Sequence, residues 1–330
     1  MAVCFFVFIF LIIFYYSFRY FRETQILSNL NKRVIFITGC DTGFGRLLAI
    51  KCVKAGIPTF AGCLTSDGAK SLEKEIGETE LLKTVIVDIT SDESVKNALK
   101  FVKENIKSQR KLWAIINNAG ILIYEGPSEW IGVESYKKIA EVNTYGVIRA
   151  FLPLLRESKG RIITITSCAG RIGFPLIPSY AVSKFATEAY MDCLRRDVYD
   201  FGITCHILET GRFKTDLVNA ENRYPKSKQA WDALPQEIKD IYGKDYLEKV
   251  DKTFYDILEK ESSARVDFVV DAYFHAITAK FPRLRYIIGY DANFLIIPIC
   301  FVPTAIQDWI LRFVARIPIP DSVKQSIKDD

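Results

Sequence analysis

The chain has 330 residues, of which 49% are hydrophobic and 25% charged, a composition that fits a globular protein rather than a disordered or fibrous one. Its 44 basic and 39 acidic residues are interspersed and give a net charge of +5, without a basic stripe or nucleic-acid motif. This argues against nucleic acid as a partner, and the apolar segments at both ends favour a membrane surface. The two His lie far apart and the eight Cys contain no C-x-x-C pair, so we predict no metal site and reduced, structural thiols.

The first segment, residues 2–18, is apolar and contains no charged side chain. As a helix it would measure roughly 25 Å, close to the ~30 Å hydrocarbon core of a bilayer. With no basic residue before it and no small-residue cleavage site after it, it favours an uncleaved anchor over a signal peptide. The cations that follow place the rest of the chain on the cytosolic face by the positive-inside rule; they are Arg19, Arg22, Lys32 and Arg33. We expect residues 1–31 to be an anchor and linker in the endoplasmic reticulum membrane, with a mitochondrial membrane as the alternative.

A short apolar strand, residues 33–38, runs directly into a glycine-rich turn and then a helical pattern. The turn carries Gly39, Gly43 and Gly45, with Asp41 and Thr42 between them. Strand, glycine-rich turn and helix together allow backbone N–H groups to approach a phosphate at the positive end of the helix dipole. The spacing differs from G-x-G-x-x-G, but its context predicts a nucleotide site.

Strands and helices then alternate along residues 32–285, which predicts one α/β domain with a doubly wound (Rossmann) parallel sheet of about seven strands. The predicted strands after the first are 57–64, 82–88, 112–117, 161–166 and 202–208. A long helix is predicted over 133–155. Several strands end in polar or glycine residues, namely Asp88, Asn117–Gly120 and Ser167. Ligands of such sheets bind at these carboxyl ends.

Ser167, Tyr180 and Lys184 predict a proton-transfer centre. Ser167 ends a strand, and Lys184 lies one turn after Tyr180 if a helix begins near Tyr180. A nearby cation favours phenolate and should lower the pKa of the phenol, while a hydroxyl at the strand end holds a reacting oxygen. The pair Tyr-x-x-x-Lys alone is a weak signal, because it is also common on solvated helices.

Two segments beyond the sixth strand are expected to determine the substrate. Residues 212–262 form a polar, aromatic-containing insertion that we predict to be a lid, whose length favours a larger apolar substrate. Residues 286–330 are an apolar extension with Ile306, Trp309, Ile310 and Phe313 on one helical face, typical of an interfacial helix. The alternative is that this face packs on the domain or on a second copy of the chain in a homodimer.

These motifs together resemble the short-chain dehydrogenase/reductase family over about residues 32–215, and the segments T-G-C-D-T-G-F-G and R-Y-I-I-G-Y-D-A-N-F-L resemble its membrane-associated retinol and hydroxysteroid branch. The resemblance implies a catalytic set that consists of Asn143, Ser167, Tyr180 and Lys184. Besides Tyr180 and Lys184, it implies a cofactor site formed by Gly39, Asp41, Thr42, Gly43, Phe44, Gly45, Asp88, Ile89, Asn117, Ala119, Gly120, Gly211 and Thr215. One departure is Thr210, where the family usually has Pro.

In the implied mechanism Tyr180 is the general acid/base, and Lys184 lowers its pKa and binds the nicotinamide ribose. Ser167 polarises the reacting oxygen, and Asn143 anchors a water that relays protons. No basic residue follows the second strand directly, and Asp41 adds a negative charge, so NAD is preferred to NADP, with Lys70 as the counter-argument. The expected substrate is a lipophilic alcohol. The alternatives are a small hydroxy acid such as 3-hydroxybutyrate, or a non-catalytic nucleotide-binding scaffold at the membrane.

Overall fold

Seven strands of the computed structural model, which describes residues 2–122, 126–216 and 220–329, form one parallel sheet in the order β3-β2-β1-β4-β5-β6-β7. The strands are β1 Arg33–Thr38, β2 Thr59–Cys63, β3 Leu82–Ile86, β4 Lys111–Asn117, β5 Arg161–Ile165, β6 Thr204–Thr210 and β7 Arg285–Ile288. The central strands are runs of β-branched residues buried on both faces, as a helix-covered parallel sheet requires. The predicted doubly wound fold is confirmed.

Helices cover both faces of the sheet. They are α1 Ala2–Glu23, α2 Gly43–Lys54, α3 Ser66–Ile76, α4 Asp92–Asn105, α5 Val133–Ala140, α6 Ile148–Ser158, α7 Pro178–Asp197, α8 Ala220–Asp232, α9 Gln236–Tyr242, α10 Tyr246–Tyr255, α11 Asp267–Thr278, α12 Ile297–Ile299, α13 Thr304–Ala315 and α14 Asp321–Asp329. One face packs Leu48 of α2 and Val269 of α11 against the sheet. On the other face of the sheet Phe151 of α6 packs against the strands, and its ring stacks on that of Phe36 of β1 with 4.8 Å between ring centroids.

The single helix predicted over 133–155 is wrong, because the chain there forms two helices. A π-helical segment, Glu141–Tyr145, follows α5, and Gly146 adopts φ +44° before α6 begins. A side chain at Gly146 would place its Cβ 3.2 Å from Asn117 Oδ1, so glycine permits both the turn and the close approach to the end of β4. Asn143 consequently lies in the π-helical segment, next to that strand end.

The two apolar ends of the chain lie at opposite ends of the edge strand β7. The last turn of α1 is fixed near the start of β7, where Glu23 forms an ion pair with Arg283 at 2.5 Å and Ile26 bridges to Ala279. The C-terminal extension instead leaves from the end of β7, at the edge where the predicted site residues lie. Among the residues that the structure describes, we find no helix with both the length and the apolar character needed to cross a membrane.

Helix α13 divides its apolar residues between the protein and the solvent. Ile310 and Leu311 pack on a small core cluster that includes Cys168 and Ile296. Trp309 and Phe313 are exposed by 71% and 76%, and their rings stack on each other. Because Ile310 faces the domain, only part of the apolar helical face predicted for α13 is exposed to solvent.

Candidate active site

The glycine-rich turn forms a cradle at the N-terminus of α2. Gly39 and Gly43 have φ +71° and +61°, in the left-handed region that favours glycine. A Cβ at Gly45 would lie 2.3 Å from Gly39 O, so the helix packs here directly on the turn. Within the described chain the Thr42 side chain does not cap α2, which leaves the first backbone N–H groups of that helix for a phosphate. The cradle therefore fits the pyrophosphate of a dinucleotide.

Asn118 joins the end of β4 to the end of β1. Its amide donates to Thr38 O at 3.0 Å and to Gly39 O at 3.1 Å, and its Oδ1 accepts from the Tyr273 hydroxyl at 3.2 Å. Thr38 Oγ1 in turn accepts from the backbone N–H groups of Asn118 and Ala119. Asn118 was predicted to lie at this edge of the sheet but was not assigned a contact with the cofactor; in the structure it joins the glycine-rich turn to β4.

The remaining residues of this segment line the same edge. A Cβ at Gly39 would lie 2.9 Å from Ala119 Cα, and one at Gly120 would lie 3.3 Å from Asn143 Oδ1 and 3.9 Å from Lys184 Nζ. Asn117 donates to Thr164 Oγ1 at 3.0 Å, while its Oδ1 is buried without a partner among the described residues. The segment that ends β4 thus connects the glycine-rich turn with the predicted catalytic side chains.

Two carboxylates that were predicted to contact the cofactor accept hydrogen bonds from neighbouring backbone N–H groups. Asp41 accepts from the N–H of Leu64 at 2.8 Å and from the N–H of Thr65 at 3.0 Å, so its charge lies at the end of β2. Asp88 accepts from the N–H and the hydroxyl of Thr90, and these bonds lower its pKa. Ile89, the next residue, packs against the core on the α4 side.

Tyr180 lies in the first turn of α7, which begins two residues earlier at Pro178, a residue that favours helix starts. Burial of the ring raises the pKa of Tyr180 to about 12, although a hydrogen bond with Ser167 opposes this rise. Desolvation of the phenol determines the direction of this shift, and the expectation that Lys184 lowers the pKa of Tyr180 stays a prediction. The phenol therefore holds its proton at neutral pH.

Lys184 lies one turn further along α7 and is 4% exposed. Its Nζ lies 5.4 Å from the centroid of the Tyr180 ring and donates to Ile165 O at 3.4 Å. Burial lowers the pKa of Lys184 to about 8, and the negative charge of Glu188 opposes that change. The protonation state of Lys184 is thus sensitive to its surroundings near neutral pH.

Asn143 bridges the β4 end and α7 with its side chain. Its Oδ1 accepts from Ile121 N at 2.8 Å, and its Nδ2 donates to Ile121 O and to Ser183 Oγ, both at 3.0 Å. Its main-chain oxygen accepts from Thr187 Oγ1 at 3.0 Å. These bonds fix Asn143 between the end of β4 and α7.

The loop after β6, which has Thr210 where the family usually has proline, is held by hydrogen bonds to neighbouring segments. β6 continues two residues past its predicted end, and Thr210 O accepts from Ser167 Oγ at 3.4 Å. Gly211 N donates to Ile288 O at 2.8 Å, and a Cβ on Gly211 would overlap the Asp291 carboxylate. That carboxylate also accepts from Arg212 N at 2.9 Å. Asp291, which the sequence analysis did not place in the site, therefore fixes this loop.

A cavity of about 190 Å³ opens against Ser167 and Tyr180. Its walls are mostly apolar and come from the C-terminal strand edge, the lid and α13. They include Phe44, Phe174, Ile177, Gly211, Phe213, Thr215, Phe254, Ile257, Leu258, Ile296, Leu311 and Val314. Cys168 also lines it, and burial raises the pKa of its thiol, which suits packing rather than nucleophilic attack.

A buried network of charges lies behind the predicted catalytic side chains. Glu188, one turn after Lys184, accepts from Thr166 Oγ1 and from Arg285 of β7. Arg285 also binds Glu209 at 2.5 Å, and Glu209 is fully buried. These carboxylates were missed because an acidic residue in a helix or at a strand end usually indicates a solvated position.

The comparison with known proteins places the chain among dehydrogenases. The family model described as short chain dehydrogenase matches residues 33–226. The chain is 40% identical to the 3beta-hydroxysteroid dehydrogenase dhs-16 of Caenorhabditis elegans, covering 92% of this chain and 80% of that protein. It is 38% identical to the human 17-beta-hydroxysteroid dehydrogenase type 6 (90% of this chain, 93% of the relative). It is also 38% identical to retinol dehydrogenase 7 of Rattus norvegicus (89% and 92%).

Solved structures share the fold. A short-chain dehydrogenase/reductase from Burkholderia phymatum in complex with NAD aligns with a TM-score of 0.64 at 19% identity, over 79% of this chain and 90% of that one. A short-chain dehydrogenase from Burkholderia cenocepacia in complex with NADP aligns with a TM-score of 0.61 at 20% identity, over 87% and 98%. Both cofactors therefore occur on this architecture. The chain belongs to the short-chain dehydrogenase family and is an oxidoreductase that interconverts an alcohol and its carbonyl compound with NAD(P).

Proposed function

We propose that the substrate is a lipophilic secondary or allylic alcohol, retinol-like or hydroxysteroid-like, or the corresponding carbonyl compound. The observation that carries this proposal is the cavity against Ser167 and Tyr180, whose other walls are mostly apolar side chains of the lid and α13. Pockets of this kind select apolar ligands and orient them through a few polar groups. The names of the hydroxysteroid and retinol dehydrogenase relatives support the same substrate class.

The four tetrad residues would divide the proton chemistry among them. Tyr180 gives its proton to the carbonyl oxygen during reduction, or takes it from the hydroxyl during oxidation, while Ser167 donates a hydrogen bond to that oxygen. Lys184 supplies the positive charge beside the phenol and binds the ribose. Asn143 holds the β4 end against α7 and would anchor a water that relays protons to Lys184. When bound, the nicotinamide supplies or accepts the hydride.

NAD(H) is the preferred cofactor in this proposal. A 2′-phosphate near the end of β2 would meet the carboxylate of Asp41. Arg46, a cation of the same region, is already paired with Glu75 at 2.6 Å. Gly39, Gly43, Gly45 and the N-terminus of α2 would hold the pyrophosphate.

The membrane is part of the proposal as well. Residues 1–31 would attach the chain to the endoplasmic reticulum membrane with residues 32–285 in the cytosol, and the exposed aromatics of residues 286–330 would rest on the same bilayer. Support comes from α1, whose apolar side chains are largely exposed, and from Trp309 and Phe313. Residues 212–262 would form the lid, although 217–219 lie outside the described residues.

The test is a panel of retinoids, hydroxysteroids and 3-hydroxybutyrate, assayed with NAD and with NADP by following reduced cofactor. We expect turnover of a retinoid or a hydroxysteroid, and loss of about 10³-fold or more in Tyr180→Phe. Ser167→Ala should lose activity as well. Activity confined to 3-hydroxybutyrate would overturn the substrate class, and full activity of Tyr180→Phe would overturn the mechanism.

A further inference from the structure

A second apolar depression, which we call the C-terminal groove, lies beside the catalytic cavity. Its volume is about 940 Å³. It lies between the start of α7, the lid helices and the C-terminal segment. Its main lining residues are Phe174, Pro175, Val182, Phe185, Tyr242, Tyr246, Leu311, Ile317, Ile319 and Val323.

The groove and the catalytic cavity share a wall. Phe174, Pro175 and Leu311 line both spaces. Phe174 comes from the loop between β5 and α7, and Leu311 from α13, which packs on the domain through a small cluster. The two spaces are therefore adjacent, with the side chains of Phe174 and Leu311 between them, and a rotamer change of such side chains is a low-barrier motion.

The catalytic cavity alone is small for the proposed substrates. Its volume of about 190 Å³ lies below the ~300–1,000 Å³ of ordinary ligand pockets, and it adjoins residues that are expected to contact the nicotinamide. A retinoid or steroid body that begins at Tyr180 must therefore continue beyond this cavity. The groove is the large apolar space that adjoins it among the described residues.

The chemistry of the groove fits a hydrocarbon. The lid phenols have protein partners: Tyr242 donates to Glu129, and Tyr246 donates to Pro318 O at 3.0 Å. The charged residues of the lining, Asp308 and Arg312, are exposed at its rim. The floor of the groove is therefore apolar, because the lid phenols that line it are already hydrogen-bonded within the protein. On such a surface each buried methylene of a ligand contributes about 0.8 kcal/mol to the free energy of binding.

We propose that the C-terminal groove is a substrate subsite that binds the apolar end of the substrate distal to the reacting oxygen, across Phe174 and Leu311. The inference rests on the proposed function and deepens it: the substrate is elongated, with its alcohol at one end and an apolar body long enough to pass Leu311. The groove then contributes to kcat/KM for long substrates and not for short ones.

The first test measures kcat/KM of the full chain for 2-alkanols from four to fourteen carbons with NAD. We expect kcat/KM to rise by roughly threefold to fourfold per added methylene and to keep rising for chains that exceed the catalytic cavity. A plateau at the shortest chains would overturn the subsite. Absence of turnover for every alcohol, 2-alkanols and the earlier panel alike, would instead overturn the proposed function.

The second test places a charge in the groove. Val323→Asp adds a carboxylate to the lining, and Val133→Asp adds one at an exposed position of α5 outside it; the two valines are 45% and 67% exposed. We expect Val323→Asp to lower the ratio of kcat/KM for the longest to the shortest substrate about tenfold, and Val133→Asp to leave that ratio at its wild-type value. Equal ratios in both variants would overturn the proposal. The proposal would also be overturned if Val323→Asp lost vesicle binding while its ratio of kcat/KM for the longest to the shortest substrate stayed at the wild-type value. That result would mean that the groove contacts the membrane instead of the substrate.

Discussion

Glu188 lies one helical turn beyond Lys184 on α7, both side chains are buried, and the negative charge of Glu188 acts to raise the pKa of Lys184. Glu188 is 7% exposed and Lys184 4%. Lys184 has few other partners, since its Nζ donates to Ile165 O at a long 3.4 Å. Glu188 is tied to Thr166, the residue before Ser167, and to Arg285. This one carboxylate therefore couples the charge of Lys184 to the position of Ser167.

From this relationship we predict that Glu188→Gln shifts the pH dependence of carbonyl reduction. Reduction needs Tyr180 protonated, which its pKa of about 12 permits, so the alkaline limb reports Lys184 with its pKa of about 8. The negative charge of Glu188 raises the pKa of Lys184, so the Gln substitution should lower that pKa. The alkaline limb of the pH profile should then move to lower pH by about one unit. The measurement is kcat/KM for reduction between pH 6 and 10.

Asp192→Asn is the matched control for Glu188→Gln. Asp192 also lies on α7 and pairs with Arg285 at 2.9 Å, but it is two turns from Lys184 and does not affect the pKa of that amine. The other charged or titratable groups nearby are Tyr180 and Cys168 at the site and Glu209 with Arg171 behind it. If the alkaline limb of Glu188→Gln stayed at its wild-type pH, or if Asp192→Asn shifted it equally, the effect of Glu188 on the pKa of Lys184 would be contradicted.

The sequence predicted the framework of this site because the framework depends on local pattern. Buried β-branched runs define the strands, and the turns that end them carry the glycine, Asn and Ser residues that meet at one edge. The break before α6 was missed, because a glycine inside a helical pattern is usually tolerated and only the approach to Asn117 requires φ +44° at Gly146.

Features that depend on tertiary contacts were not predicted. The role of Glu188 depends on Arg285 of β7, which is 97 residues away in sequence. The groove depends on the meeting of the segment at Phe174 with Leu311 and the residues around Val323. The burial that raises the pKa of Tyr180 could not be judged from the spacing of Tyr180 and Lys184 alone.

Asp41→Asn tests the cofactor preference. The variant keeps an acceptor for only one of the two N–H groups, those of Leu64 and Thr65, and removes the negative charge at the end of β2. We expect the ratio of kcat/KM with NAD to that with NADP to fall by about tenfold, or ~1.4 kcal/mol. Asp67→Asn, in the exposed first turn of α3, is the control. An unchanged ratio in Asp41→Asn, together with loss of NADP activity in Lys70→Ala, would mean that Lys70 determines the preference.

Trp309 allows the membrane contact to be measured in the full chain. It is 71% exposed, whereas Trp130 and Trp231 are 4% and 9% exposed. In vesicles of phosphatidylcholine with brominated acyl chains, we expect tryptophan emission to fall for the wild type and to be largely unaffected for Trp309→Phe. Trp231→Phe should retain the quenching. Equal quenching of the wild type and Trp309→Phe would place α13 away from the lipid.

Asn118→Ala should weaken both the fold and cofactor binding. The substitution leaves Thr38 O, Gly39 O and the Tyr273 hydroxyl without their side-chain partner next to the phosphate cradle, which we expect to lower the free energy of unfolding by about 2–3 kcal/mol. Because the turn that binds the pyrophosphate is then less fixed, the Kd for NADH should rise about tenfold.

Urea denaturation and NADH titration by fluorescence measure the two effects, with Asn105→Ala as the control. Asn105 ends α4, where its side chain donates to Phe101 O at 2.8 Å and accepts from Lys83 at 2.6 Å, far in sequence from the cradle residues. Its substitution should change the free energy of unfolding by less than about 1 kcal/mol and leave the Kd for NADH at its wild-type value, because its partners remain accessible to water. If Asn118→Ala kept wild-type NADH affinity while losing stability, Asn118 would support the sheet without determining the geometry of the cofactor cradle.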